Sequence, residues 1–447
     1  MSVTARKTSV PEPRPSWADS AIAAAAERQK LALSPGALRV AQEAKAVWAK
    51  VLFPTPGLEE WKYTNPEAIS KGPFSLASEA PSSVSADDVQ RFEIPGLPVK
   101  RIVFVDGVLS EPLSSLSQES GAKVSRIHSK EQLPVGALGA HKSEPFAALA
   151  TALMSDGVSI SVSPGADIAI PFHVINIATS AAEKSVCTPR VFVDAAIGSR
   201  VTVIESHVTL AGCQYVTLPV TEIRAAQNAV VDHYRLQDES LQSFQVSQTD
   251  IEIARDAQVR AHVFSFGGKL VRNNVSVRMV GSNGNALLNG LSLLAGSQHV
   301  DNSTSIHHVE PSSESREHFK GIYADESRGV FSGTITVEQI AQKTNAFQSN
   351  QALLLSPNAS IETRPQLKIW ADDVKCTHGA TVGQLDSDAM FYLRSRGIDR
   401  ETARNFLVHA FASEVLSTVT VEALRQYVEG FISRKLDTDC QAGAAAE

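Results

Sequence analysis

A short turn motif recurs along the middle of this 447-residue chain, and it restricts the possible folds more than any other feature. In each copy a glycine, asparagine or aspartate is followed within three residues by an aliphatic side chain. The copies begin at Pro164, Ile197, Gln227, Asp256, Gly284 and Pro357. The first five follow one another at steps of roughly 28 to 33 residues, which is typical of one coil of a solenoid. The repeat therefore predicts stacked coils.

Short runs rich in β-branched residues lie between these turns and are typical of strands. They occupy residues 101–105, 158–162, 191–193, 201–204 and 275–277. No helix of ten or more residues is predicted between positions 158 and 374, so the alternation of strands and helices seen in doubly wound sheets is absent. The pattern predicts a mainly β protein with a β-helix core, while a β-sandwich is the alternative.

Helical periodicity is confined to the two ends of the chain. Ser34 and Pro35 provide an N-cap and a proline in the first turn, and Asp399 can cap an amphipathic helix that a second one follows after Thr420. We expect this C-terminal pair to sit at the end of the solenoid with little to bury against. The predicted division is a helical domain at 1–70, a linker at 71–100, a β-strand region at 101–386, a helical domain at 387–436 and a flexible tail at 437–447.

Charge and hydropathy exclude several classes of partner. The formal net charge of −7 leaves no basic surface for nucleic acid. No apolar run reaches the roughly 20 residues needed to cross a bilayer, and the run at 21–26 is interrupted at once by Glu27 and Arg28, unlike a secretory leader. We therefore expect a cytoplasmic protein with neither nucleic acid nor membrane as a partner.

The sequence contains one cysteine–histidine pair close enough to share a metal, Cys376 and His378. Two residues apart on a strand, their side chains lie on one face. Thiolate and imidazole both suit iron, but two ligands make only half a site. The alternative is that Cys376 is a small buried apolar residue and that His378 caps the turn at Gly379. None of the cysteines forms a C-x-x-C pair; they are Cys187, Cys213, Cys376 and Cys440.

A second histidine-rich region surrounds His308, which we single out as either a structural or a site residue. The region contains His299, His307, His308 and His318. Its spacing matches no closed metal motif, so a structural polar network is the favoured interpretation. Neither a phosphate-binding loop nor a G-x-S-x-G nucleophile motif occurs, so any ATP must be held by another subunit.

Five separate segments, taken together, resemble the SufB/SufD family of iron–sulfur cluster assembly proteins. They are residues 59–64, 323–333, 348–356, 364–369 and 372–383. They occur in the family's order, and the resemblance extends from residue 55 to about 432. The sequence Cys-Thr-His-Gly-Ala-Thr-Val-Gly at 376–383 is similar to the SufD branch rather than to the SufB branch.

The resemblance implies a right-handed parallel β-helix and a non-catalytic scaffold. It implies that a transient iron–sulfur cluster, of a type the sequence does not specify, is built where the chain meets a SufB-like subunit. His378 would lie at that interface with Cys376 beside it, and no cofactor would be bound permanently. The isolated chain could also form a homodimer.

The resemblance further implies that a SufC-like ABC-type ATPase docks on the C-terminal helices. The aromatic and apolar side chains predicted to anchor it are Phe406, Phe411, Leu424 and Phe431. Two alternatives are an interaction protein without cluster ligands and a polysaccharide-active β-helix enzyme.

Overall fold

The computed structural model describes residues 14–78, 84–116, 121–128 and 136–444, with side chains as far as Leu436. The predicted fold class is confirmed: a parallel β-solenoid of about eight turns carries small helical parts at both ends of the chain. The sandwich alternative is wrong because each long strand pairs in parallel with the strand one coil further on. Residues 1–13 and the side chains of the predicted tail lie outside the described residues.

The α-helices flank the solenoid in the chain's order. They are α1 Ser16–Ala32, α2 Pro35–Trp48, α3 Glu67–Ser70, α4 Ala86–Gln90, α5 Pro145–Ala152, α6 Ser387–Ser395, α7 Arg400–Leu416 and α8 Glu422–Ala444. As the sequence indicates, Ser34 caps α2 through a hydrogen bond from Ala37 N and Asp399 caps α7 through one from Thr402 N. Helix α6 lies inside the predicted helical domain at 387–436 but was not predicted as a separate helix.

The strands of the described residues are short near the N-terminus and about ten residues long in the later coils. They are β1 Ser75–Leu76, β2 Lys100–Val105, β3 Val108–Leu109, β4 Ala122–Arg126, β5 Val158–Val162, β6 Phe172–Ala178, β7 Ser185–Cys187, β8 Arg190–Ala195, β9 Arg200–Thr209, β10 Val216–Thr217, β11 Val220–Ala225, β12 Val230–Asp238, β13 Phe244–Ile253, β14 Gln258–Ser265, β15 Leu270–Met279, β16 Asn285–Leu294, β17 His299–His308, β18 Glu314–Tyr323, β19 Arg328–Val337, β20 Asn345–Leu354, β21 Ser360–Ile369 and β22 Lys375–Gly383.

The coils build two long sheets, and the chain alternates between them. Sheet A has the order β21-β19-β17-β15-β13-β11-β8-β5-β4, and sheet B has the order β22-β20-β18-β16-β14-β12-β9-β6-β2-β3. At the N-terminal end, β4 and β3 pair antiparallel with their neighbours and terminate the two sheets. At the other end, β21 and β22 are the last strands. We call this end of the solenoid the open end.

The recurring turn motif marks the corner that leads into sheet B. At each of these corners one residue has a positive φ, the left-handed conformation that glycine, asparagine and aspartate adopt most easily. These residues are Gly165, Gly198, Asn228, Asp256, Asn283, Ser312 and Lys343. The copy at Pro357 leads into sheet A instead, which explains why it does not continue the spacing of the first five. The predicted repeat is therefore the corner of one coil.

Alternate side chains of the long strands face the inside of the coil and form the main core. Valine, isoleucine and leucine from both sheets fill it along its length, among them Val203, Ile223, Ile251, Val277 and Ile335. Because the strands are parallel and in register, residues at the same position of successive coils stack on one another. One coil thus determines which side of the next strand is buried.

The N-terminal helices cover the outer face of sheet A. Trp17 of α1, Trp48 of α2 and Phe146 of α5 share a core with Phe244 and Leu270 of the sheet. The segment interpreted as a linker contributes β1, which pairs with β7, and helix α4. Within the described residues no helix is long and apolar enough to span a membrane.

The C-terminal helices cover the outer face of sheet B, so the expectation that they sit at the end of the solenoid is wrong. Tyr234, Phe264 and Leu291 of the sheet form one core with Val408 of α7 and Leu424 of α8. This face is apolar because the sheet B strands β12, β14, β16, β18 and β20 each place an aliphatic or aromatic side chain on it. The helices were misplaced because sequence periodicity reveals an apolar stripe but not the surface that it covers.

We predict that Leu424→Ala lowers the free energy of unfolding by about 2 to 5 kcal/mol, because the side chain is fully buried against sheet B. Phe406→Ala is the matched control, since this side chain is 53% exposed, and it should change stability by no more than about 0.5 kcal/mol. Urea denaturation followed by circular dichroism measures both. Equal losses for the two variants would contradict this packing.

Candidate functional site

The open end exposes the edges of two strands. Strands β21 and β22 pair with β19 and β20 on one side, and no described strand pairs with their other side. Most of β22 is exposed, and Cys376 is the one half-buried residue in it. An unpaired edge offers a row of backbone donors and acceptors to another chain. The open end is therefore suited to pairing with a partner.

Cys376 and His378 lie in β22 on the face that points into the coil. Their partners in β20 are Ala346 and Gln348, which are both buried. Cys376 packs against the end of the interior core, whereas His378 is exposed. The predicted shared face is thus observed, and the pair forms the last layer of the solenoid interior.

The chemistry of this pair is that of an incomplete site. Burial raises the pKa of the Cys376 thiol, so a smaller fraction of it is thiolate at neutral pH than for an exposed cysteine. Among the described side chains no group of three or more histidine, cysteine, aspartate or glutamate residues could hold a metal ion. An iron atom bound at this end would need ligands from a second chain or from sulfide.

His308 lies in a different environment, inside the coil. Its Nδ1 is 2.7 Å from Ser313 Oγ and its Nε2 is 2.9 Å from Ser315 Oγ. Burial lowers its pKa to about 4, so the ring is neutral at physiological pH. With both nitrogens engaged and the side chain buried, this geometry favours the structural role.

The remaining histidines of that region do not converge on His308. His299 Nε2 lies 3.0 Å from Thr64 Oγ1, His307 Nε2 lies 2.7 Å from Glu338 Oε1, and His318 lies on the outside of sheet B. They are close in sequence, but the two sheets separate them.

The four residues predicted to anchor an ATPase differ in exposure. Leu424 is buried in the core described above, Phe411 and Phe431 are half-buried at the edge of that core, and Phe406 is exposed. Sequence reasoning missed Phe391, which is 74% exposed on the unpredicted helix α6.

Tyr392 also lies on α6, and its side chain is mostly exposed. Phe391, Tyr392 and Phe406 are three large exposed aromatic side chains on the helices α6 and α7, which contact each other, and we call the three together the aromatic patch. The only signal for it in the sequence was the Phe-Tyr pair inside a short amphipathic segment.

Polar contacts hold the C-terminal helices firmly on sheet B. Thr418 Oγ1, in the loop between α7 and α8, lies 2.8 Å from both His262 Nε2 and Asn289 Nδ2. Two residues on, Thr420 N donates to the hydroxyl of Tyr234 at 3.0 Å. Lys320 donates to the carbonyl oxygen of Phe411 and forms an ion pair with Glu414. These contacts hold α7, which carries Phe406 of the aromatic patch, against the strands of sheet B.

The N-terminal segment 59–64 reaches along sheet A to the last coil. Trp61 stacks under the guanidinium of Arg272, with 4.1 Å between the guanidinium carbon and the ring centroid, and Thr64 donates to Asp301. Glu59 forms an ion pair with Arg364 of β21. Two segments that are far apart in sequence thus meet, and the contact braces the open end.

Comparison with known proteins agrees with this architecture. A family model described as "SUF system FeS cluster assembly, SufBD core domain" matches residues 177–411, which include the coils from β7 to β22 and most of α7.

The iron–sulfur cluster assembly protein SufD of Escherichia coli is 35% identical over 387 residues, covering 86% of this chain and 89% of that protein. A SufBD family iron–sulfur cluster assembly protein of Synechocystis is 32% identical over 383 residues, covering 82% and 84%. The chloroplastic protein ABCI7 of Arabidopsis thaliana is 36% identical over 252 residues, covering 55% and 52%. Because of these identities and coverages, and because the family model matches more than half of the chain, the chain belongs to the SufB/SufD family of SUF-system proteins and is of the SufD type.

Proposed function

We propose that this chain is a scaffold subunit for iron–sulfur cluster assembly and that the cluster is built at its open end, against a SufB-like subunit. The family membership supports the assembly role. The observation that carries the location is His378, an exposed imidazole on the last layer of the interior, beside an unpaired strand edge. The cluster is the cargo of this site and leaves it for a recipient protein.

The surface of the open end supports docking of another protein. Among the described residues, five large apolar side chains are substantially exposed on the last two coils, which run from β19 to β22: Ile340, Phe347, Ile369, Trp370 and Val382. Exposed tryptophan and phenylalanine side chains commonly act as anchors in protein interfaces. A strand edge with apolar anchors around it would let backbone pairing and burial act together.

The two site residues have different roles in this proposal. His378 is accessible, and one of its ring nitrogens can coordinate iron. Cys376 is half-buried and burial raises the pKa of its thiol, so a metal ion has to displace a proton that is held more tightly than in an exposed cysteine. We assign His378 as the ligand and Cys376 as an auxiliary residue.

The aromatic patch is our proposed docking site for a SufC-like ATPase. It replaces the four side chains predicted from the sequence, of which only Phe406 is well exposed. Hydrolysis would be the partner's activity, and this chain would act as a non-catalytic scaffold. Because α7 and α8 are fastened to coils β12 to β18, movement of a docked ATPase would be transmitted to the coils as a rigid unit.

A purely structural role is the competing proposal, and the unpaired strand edge by itself would fit it. The same edge could pair with a second copy of the chain. These roles differ from cluster assembly in one respect, which is whether the His378 side chain is needed once the complex has formed.

We expect His378→Ala to reduce iron and acid-labile sulfide per complex on the order of tenfold or more, because losing a ligand should cost at least as much as losing an outer partner that orients it. The complex is co-expressed with its SufB-like and SufC-like partners and purified anaerobically. Cys376→Ser should have a smaller effect, since Cys376 is the auxiliary residue. The thermal midpoint should stay unchanged, because an exposed side chain contributes little to stability.

Thr377→Ala is the matched control for this experiment, because Thr377 is also exposed and lies between the two site residues on the opposite face of β22. It should leave the iron content unchanged. Normal iron and sulfide in the His378→Ala complex, with the complex intact, would reject the ligand role and leave the structural role.

For the aromatic patch we expect Phe391→Ala combined with Phe406→Ala to weaken binding of the ATPase subunit about thirtyfold or more, because the loss of even one aromatic anchor from an interface costs about 2 kcal/mol or more. Isothermal titration calorimetry with the purified ATPase measures the affinity. The thermal midpoint should change little, since both side chains are exposed.

Ile197→Ala is the control, since Ile197 is similarly exposed but lies in a corner before β9. It should bind the ATPase with the wild-type affinity. If the double variant binds as tightly as the control, the docking site lies elsewhere.

A further inference from the structure

One column of the solenoid interior connects the His378 position to a buried acid. Glu317 of β18, Gln348 of β20 and His378 of β22 occupy the same register position on successive coils of sheet B. Side chains at one register position of parallel strands stack about 4.8 Å apart. Glu317 and Gln348 are fully buried, and His378 is the exposed last member.

A hydrogen bond to the preceding coil holds the Gln348 side chain in one orientation. Its Nε2 donates to Glu317 Oε2 at 2.6 Å, so its amide nitrogen points toward the preceding coil. Burial raises the pKa of Glu317 to about 7, yet both the ionised and the protonated carboxyl retain an oxygen that can accept this hydrogen bond. The orientation of Gln348 is therefore maintained on either side of neutral pH.

Gly333 of β19 makes room for this amide. A Cβ atom at position 333 would overlap the amide nitrogen of Gln348 and lie 2.8 Å from its Cδ. Gly333 and Gln348 belong to two of the five segments that resemble the SufB/SufD family, but neither is one of the candidate site residues. Position 333 packs against the Gln348 side chain in the coil next to the layer of His378.

The other end of the amide is unsatisfied. Gln348 Oε1 is buried and accepts no hydrogen bond from the residues that the structure describes. An unpaired buried carbonyl oxygen costs free energy of about 1 to 3 kcal/mol. The next side chain on the same face is the imidazole of His378, whose ring N–H is a donor. Rotation of that ring toward the interior would satisfy the oxygen.

We propose that Gln348 is a positioning residue: its Oε1 accepts a hydrogen bond from one ring N–H of His378 and so directs the other ring nitrogen out of the open end. This inference rests on the proposed function, because it takes His378 as the iron ligand. A metal-bound histidine usually donates its second ring nitrogen to a carbonyl or carboxylate oxygen, which fixes the tautomer and raises the basicity of the ligand. Gln348 supplies that acceptor, and Glu317 keeps it in place.

The test measures the affinity of the anaerobic three-subunit complex for ferrous iron by direct titration. Gln348→Met keeps the length of the side chain but removes the acceptor, and we expect it to weaken iron binding about tenfold.

Asn350→Leu is the matched control. Asn350 is also buried in β20 and faces the interior, but its partner on the last strand is Ala380 rather than His378. The control should bind iron normally. If Gln348→Met and Asn350→Leu lose iron and thermal stability to the same extent, Gln348 is only structural and the proposal is overturned.

A double-mutant cycle with His378→Ala separates this inference from the proposed function. If the variant carrying both changes binds iron no more weakly than His378→Ala alone, Gln348 acts through His378 and the proposal is supported. Additive losses would overturn it. Loss of iron in His378→Ala with normal binding in Gln348→Met overturns this inference alone, whereas normal binding in both single variants overturns the proposed function as well.

Discussion

Parallel pairing of strands in register is the constraint on which the rest of this structure depends. Each side-chain position recurs once per coil and stacks on the same position of the next coil. A residue that faces the interior in one coil therefore has interior residues as its neighbours in the adjacent coils. The interior is filled with valine and isoleucine for this reason, and the outer face of sheet B carries an apolar column that the C-terminal helices cover. Pairing of this kind also leaves a strand edge where the coils stop, and the candidate site is found at that edge.

Stacking of the coils also brings into contact polar residues that are far apart in the sequence. Glu317 is a buried acid whose charge is favoured by the amide of Gln348 on the next coil and by the side chain of Thr304, but burial outweighs both and raises its pKa. That amide fits because position 333 has no side chain. In the proposed arrangement, residues on three strands act on a fourth, which carries His378 at the exposed end of the solenoid. Function at the open end can thus depend on residues that no partner touches.

The two helical parts differ in what they add to the coils. The N-terminal part covers sheet A, and its segment at 59–64 braces the last coil through the ion pair between Glu59 and Arg364. The C-terminal part covers sheet B and leaves the aromatic patch exposed on α6 and α7. In the proposed complex the open end and the aromatic patch would serve different partners, and the coils between them are the rigid connection.

The sequence by itself favoured the solenoid, because turn residues recur at the length of one coil, and the parallel pairing of the strands then excluded the β-sandwich. It also placed Cys376 and His378 on one face, since alternation along a strand is a local property. Only the tertiary structure decided that His308 is enclosed by two serine hydroxyls, that Leu424 is core while Phe391 is surface, and that Gln348 lies beneath His378. These facts depend on which surfaces meet across coils, and the spacing of residues along the chain contains no information about that.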